Sequence, residues 1–172
     1  MKLASVAVVL EALNREKVRV LVVGGLAVNA HGYLRFTKDA DLAIELVPEN
    51  IERAFRALAS IGYHPRVPVT AAQFADPAVR ASWIRDKDMK VLQFWSDAHR
   101  ETPVDVFVIE PFDFPVEFAE AHTDVVEISG HSPVQARYVR IPTLIAMKQA
   151  FSRPTDLDDV QHLRWIQEEK EK

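Results

Sequence analysis

The chain has 172 residues, 48% of them apolar and 27% charged, with a formal net charge of −4 at neutral pH, the proportions of a globular protein able to bury its own core. It contains no cysteine, which excludes disulfides, zinc–thiolate centres and cysteine nucleophiles, and no apolar run approaches the roughly 18 residues of a membrane-spanning helix. The acidic balance argues against broad nonspecific nucleic-acid binding, while leaving room for a local basic groove.

The opening residues place Val6, Val9, Leu10 and Leu13 at helical spacing, with Glu11 and Arg15 on the other side. They predict an amphipathic helix over about Leu3–Glu16 rather than a signal peptide, and hence a cytoplasmic protein. A nearly continuous β-branched and aliphatic run, Val18–Val23, reads as a strand buried on both faces. It ends at Gly24-Gly25, and a short helix follows over Leu26–His31, closed by Gly32. The next strand is Ala40–Leu46, with Asp39 and Asp41 at its mouth. After Pro48-Glu49-Asn50, an amphipathic helix carries Ile51, Phe55, Leu58 and Ala59 on one side until Gly62 stops it.

The middle, residues 63–87, contains Pro65, Pro68 and Pro77 with little periodicity and reads as a long loop holding a short strand or helix. Strands are expected over Met89–Trp95 and Pro103–Glu110, then a short helix near Val116–His122. A hairpin pairs Asp124–Gly130 with Gln135–Ile141 around Gly130–Pro133. Two helices finish the chain: Leu144–Phe151, and about Asp156–Glu169 with Thr155 as N-cap. The expected architecture is a single α/β (α+β) domain over residues 1–172. Its mixed sheet has about five or six strands flanked by helices, and residues 142–172 form a C-terminal helical appendage.

Three acidic positions carry the chemistry. Asp39 and Asp41 are two apart on an extended segment and so aim the same way. Carboxylates that close repel one another and stay ionised together most easily beside a cation. Asp105 stands among apolar neighbours in Val104–Ile109, where a bare carboxylate is costly. If its strand adjoins the Asp41 strand, the three carboxylates face one hard-oxygen site suited to Mg²⁺ or Mn²⁺, completed by phosphate and water. Gly24 and Gly25 suit the same site, because backbone without Cβ atoms lets a phosphate approach the amides of the following helix. Neither a dinucleotide fingerprint nor a P-loop is present. The six histidines show no paired metal-ligand spacing, and a hairpin would scatter His122 and His131. His31 reads as a helix-end residue. Arg80, Arg85, Lys87 and Lys90 form a basic set diluted by Asp86 and Asp88.

A strand ending in Val22–Gly25, an acidic pair in Asp39–Leu42 and a third carboxylate in Val104–Val106 together resemble the polymerase-β-like nucleotidyltransferase superfamily. Within it, Arg35–Asp41 and the tail Lys148–Asp159 look like the small AbiEii-type, toxin-like members. The resemblance implies a nucleotidyltransferase that moves an NMP from an NTP such as ATP to a hydroxyl on RNA or tRNA, protein or a small molecule. It also implies a possible toxin role with an antitoxin partner. By the same resemblance Asp39, Asp41 and Asp105 hold the metal and act in catalysis. Gly24, Gly25, Arg35, Thr37 and Lys148 bind the nucleotide, and Asp156 and Asp159 orient Lys148 or join the rim. The alternative reading is a non-catalytic nucleotide- or partner-binding protein of the same fold.

Overall fold

The computed structural model describes all residues from Met1 to Lys172. In chain order the elements are α1 (Leu3–Arg15), β1 (Val20–Val22), α2 (Gly24–His31), β2 (Ala40–Ile44), α3 (Pro48–Ser60), β3 (His64–Pro65), α4 (Ala71–Ala75) and α5 (Pro77–Lys87). They continue with β4 (Val91–Trp95), β5 (Val104–Phe107), α6 (Phe114–Ala119), β6 (His122–Val126), β7 (Val134–Tyr138), α7 (Ile141–Phe151) and α8 (Pro154–Lys170). No helix is long and apolar enough to cross a membrane.

The strands form one mixed sheet in the order β3-β4-β5-β2-β1-β7-β6. It has seven strands rather than five or six, because His64–Pro65 pairs with Trp95 and Phe94 as a two-residue edge strand. At the centre, β2 runs parallel to β5 and antiparallel to β1. The first helix buries Val6, Val9, Leu10 and Leu13 at the expected spacing and packs against α3 and β7. On the other side of the architecture α7 packs against α8, and both touch α2. The buried apolar residues of these elements form one continuous core.

Several boundaries differ from the sequence reading for identifiable reasons. Val18 gives its N–H to Leu13 at the end of α1, so the first strand is only Val20–Val22. The segment read as a long loop folds into α4 and α5. Thr70 and Gln73 close a reciprocal capping box on α4, and Asp76 caps α5 ahead of Pro77, so side-chain caps supply the order that apolar periodicity does not reveal. Thr155 lies inside α8. The cap position belongs to Arg153, whose backbone N–H is accepted by the carboxylate of Asp156.

One buried polar residue pins the centre of the sheet. Asn50, fully buried on α3, accepts from the Arg19 N–H at 2.8 Å and donates to the carbonyls of Arg19 at 3.0 Å and Glu45 at 2.9 Å. These groups flank β1 and β2; the Arg19 carbonyl also accepts from the Glu45 N–H, while the Arg19 N–H and the Glu45 carbonyl rely on Asn50. Replacing Asn50 with Ala strands them, and the expected loss is about 3 kcal/mol. Urea unfolding should show a lower midpoint with an unchanged slope.

Candidate active site

The parallel pairing of β2 with β5 sets Asp41 directly opposite Asp105. Residues in register on neighbouring strands, about 4.8 Å apart, point to the same face, so the two carboxylates stand side by side. Leu42 and Val106, one residue on, turn the other way into the core. Across the next strand Gln93 opposes Asp105, and its Nε2 donates to Asp105 Oδ1 at 2.9 Å. Asp39 sits two residues before Asp41, where the Ala40 N–H bonds to the Pro103 carbonyl and locks the strand entry.

All three acids line one cleft of 720 Å³, together with Gly24, Gly25, Arg35, Thr37 and Lys148. The three acids, both glycines, Arg35, Thr37 and Lys148 therefore meet at one place, Asp156 lines it with them, and Asp159 does not. The volume lies within the range of small-molecule and cofactor pockets.

The double glycine has a reason the sequence does not disclose. Gly24 opens α2 with φ of +61°, and a Cβ built on it would lie 2.0 Å from Oδ2 of Asp41. A Cβ on Gly25 would lie 2.6 Å from the Thr37 hydroxyl and 3.2 Å from Arg35 Nη1. The missing side chains make room for the site's own Asp41, Thr37 and Arg35. This close packing is a requirement for glycine in addition to the phosphate approach read from the sequence.

Behind the acids runs a ladder of alternating charge. Arg35 Nη2 donates to Asp159 Oδ2 at 2.8 Å, and its Nε stands 2.6 Å from Oδ1. Lys148, 5% exposed, stands 2.8 Å from Asp159 Oδ2 and donates to Asp156 Oδ1 at 3.0 Å. Arg153 Nε donates to Asp156 Oδ2 at 2.7 Å. The ladder ties the loop before β2 to α7 and the first turns of α8. Asn29 adds a second tie, exchanging two 3.0 Å bonds with the backbone of Arg35.

Burial alone would push the Asp156 carboxyl up, but the bonds and charges of Arg153 and Lys148 outweigh it and hold it below the usual carboxylate value. Asp41 behaves oppositely. Burial, then repulsion from Asp105 and Asp39, push it up to about 7 against the pull of Lys148 and Arg153. Asp105 is also raised, chiefly by burial, with Asp39 adding to it and the Gln93 bond and Arg66 opposing. The protein's own cations thus leave the acidic group under-neutralised, the condition that invites a divalent ion. No three acidic, histidine or thiolate groups converge closely enough to enclose an ion alone. The donor set fits Mg²⁺ or Mn²⁺ as ions that take part of their shell from phosphate and water.

The sequence reading missed part of the lining. Arg153, Lys90, Lys38, Phe36 and Phe151 also face the cleft. The Lys90 ammonium lies 5.5 Å and the Arg153 guanidinium 5.7 Å from the centre of the Phe151 ring. Of the basic set in residues 80–90, only Lys90 reaches the cleft. Arg80 is buried and donates to the Phe74 carbonyl, so the four do not form one patch.

Neither a protein-family profile nor a curated protein sequence matches the chain. Several solved structures share its fold, two of which are informative. The lincosamide antibiotic adenylyltransferase LnuA, bound to lincomycin, superposes with a TM-score of 0.54 at 14% identity, covering 91% of this chain and 92% of that one. The antibiotic-resistance factor ANT(2'')-Ia superposes with a TM-score of 0.56 at 15% identity, covering 95% and 81%. The chain has the α+β nucleotidyltransferase fold.

The repelled state of Asp41 has a measurable consequence. Its folded pKa of about 7 lies above the unfolded value, so the folded protein holds this proton more tightly than the unfolded chain. Stability in EDTA should therefore fall as pH rises from about 4 to about 7, by on the order of 2–4 kcal/mol from this group. Asp41→Asn should remove that share of the slope and be the more stable protein at pH 8. Identical urea midpoints for the two proteins at pH 5 and pH 8 would contradict the electrostatic account.

Proposed function

We propose that the chain is a metal-dependent nucleotidyltransferase, moving an NMP unit from an NTP to an acceptor hydroxyl with release of pyrophosphate. The observation that carries this is the in-register pair Asp41 and Asp105, with Asp39, in a cleft floored by the Gly24-Gly25 opening of α2. The fold shared with an adenylyltransferase supports it.

In the proposed reaction the acceptor oxygen attacks the α-phosphorus, and the bond to the bridging oxygen of the β-phosphate breaks. Asp105, positioned by Gln93, receives the hydroxyl proton. Arg153, Lys90 and Lys38 neutralise the triphosphate from the rim, and the first amides of α2 face it with the favourable end of the helix dipole. Lys148 sits deeper, with two of its three N–H groups directed at Asp156 and Asp159. It and Arg35 hold the loop that bears Thr37 and Asp39. Asp39, Asp41 and Asp105 would hold a divalent cation, which would supply charge neutralisation at the reacting phosphate and lower the pKa of the acceptor hydroxyl. The protein's share is placement and charge complementarity, which dominate phosphoryl transfer.

For the acceptor, the names of both structural neighbours are tied to antibiotics, which supports a small-molecule hydroxyl. RNA, tRNA or a protein hydroxyl, and with them a toxin role and an antitoxin partner, are separated from it by offering each acceptor with labelled NTP.

Calorimetric titration of ATP, CTP, GTP and UTP with Mg²⁺ should show saturable binding of at least one nucleotide, lost in Asp39→Ala/Asp41→Ala. Binding that is absent in both proteins, or equal in both, would refute the assignment. Nucleotide binding with no pyrophosphate release from any acceptor would instead favour the non-catalytic reading. Once an acceptor is found, Asp41→Asn and Asp105→Asn should each slow turnover at least about a hundredfold. Arg153→Ala should raise KM for the nucleotide about tenfold with kcat within about threefold, as expected for a contact made equally in ground and transition states.

A further inference from the structure

The C-terminal end of α2, about 10 Å from Gly24 along the helix, borders a second hollow of 260 Å³. His31, the last residue of α2, lines it and is only 7% exposed. Its Nε2 lies 2.7 Å from the carbonyl oxygen of Val139. A carbonyl only accepts, so Nε2 carries the proton and Nδ1 of the neutral ring is a bare lone pair. That Nδ1 is buried and has no hydrogen-bond partner. A buried acceptor without a donor is uncommon and costly. Burial also lowers the pKa of the ring against the opposing Val139 bond, with the charges of His122 and Lys170 acting in the same direction as burial.

The imidazole of His122, the exposed first residue of β6, lies beside it, with ring centres 5.2 Å apart and planes inclined at 40°. Two imidazoles bound to one tetrahedral ion at nitrogen–metal distances of about 2.0–2.1 Å have ring centres about 5 Å apart. A histidine that ligates a metal through one nitrogen characteristically donates its other N–H to a carboxylate or a backbone carbonyl. His31 already makes that bond to Val139. Of the charged groups around the hollow, Arg140 is engaged by Glu117 and Glu120, the charge of Lys170 acts against a positive His31, and Glu171 supplies a carboxylate at the rim.

We infer that His31, through Nδ1, and His122 form a two-imidazole site for a borderline transition-metal ion, with zinc(II) the natural occupant. Imidazole nitrogen suits zinc and disfavours Mg²⁺, so the site is chemically distinct from the acidic cleft and does not depend on the proposed reaction. No third protein ligand completes a cage. Water fills the remaining positions, and the affinity is of micromolar rather than structural-zinc class. The ion would fasten α2 to the edge strand β6 at the end of the helix opposite Gly24-Gly25.

The test uses Asp39→Asn/Asp41→Asn, which removes ion binding at the acids, titrated with Zn²⁺ by calorimetry and with Co²⁺ by visible absorption. The expected result is one Zn²⁺ bound per chain with micromolar Kd, a rise in Tm, and a Co²⁺ spectrum displaced by Zn²⁺ but not by Mg²⁺. His122→Ala in the same background should weaken Zn²⁺ binding at least tenfold. Its side chain is exposed, so this variant keeps the test valid even where His31→Gln fails to fold. Absence of saturable Zn²⁺ binding, or binding unchanged by His122→Ala, would overturn the site.

Discussion

Two carboxylates held side by side across the parallel pair β2 and β5 govern how the rest of the molecule is arranged. Asp41 and Asp105 occupy one register position, and each is raised by burial and by its acidic neighbours. Left alone, such a pair opposes folding, because ionising either one inside a partly buried cleft costs free energy. The sheet nevertheless forces the contact. Leu42 and Val106 must face the core on the opposite side, and a period of two then leaves the aspartates no other direction. The hydrophobic pattern of two strands thus fixes the geometry of the acids.

Room for that geometry comes from glycine. A Cβ on Gly24 would clash with Oδ2 of Asp41, and one on Gly25 with the Thr37 hydroxyl. The start of α2, the acidic pair and the loop between them therefore pack as one unit rather than as a backbone cradle with acids nearby. The charge ladder holds that unit from behind. Asp159 binds Arg35 and Lys148, and Asp156 binds Lys148 and Arg153. A buried ion pair gains little net stability, because desolvation consumes much of the Coulomb attraction. Its effect here is positional: removing one member would leave an unpaired buried charge, so the loop has one arrangement that avoids the penalty. The ladder also ends on exposed Arg153, so one network joins the interior to the rim of the cleft.

The two ends of α2 carry different chemistry. Its first residues stand against Asp41 and Thr37, in an environment of hard oxygen donors. Its last residue presents a buried imidazole nitrogen beside a second imidazole. An eight-residue helix places these environments about 10 Å apart. Hard and borderline ions would therefore sort between them by ligand type rather than by competition.

Much of this was legible in the residues. The spacing of Val6, Val9, Leu10 and Leu13 determined α1, and the apolar runs around Asp41 and Asp105 determined β2 and β5. Motif positions relative to strand ends grouped Gly24, Gly25, Asp39 and Asp41, and brought Asp105 to them on the condition that its strand adjoined theirs. Local periodicity reports which face of an element is buried, and the pairing of β2 with β5 supplied the rest. The two middle helices escaped because their order comes from the caps Thr70–Gln73 and Asp76 rather than from an apolar stripe. Only the tertiary structure decided who meets whom across long separations. Arg35 finds Asp159 124 residues away, Asp41 fills the space left by Gly24, and His31 approaches His122. Such partners are chosen by the packing of α2 against the sheet and of α7 against α8, which no local pattern of side chains encodes.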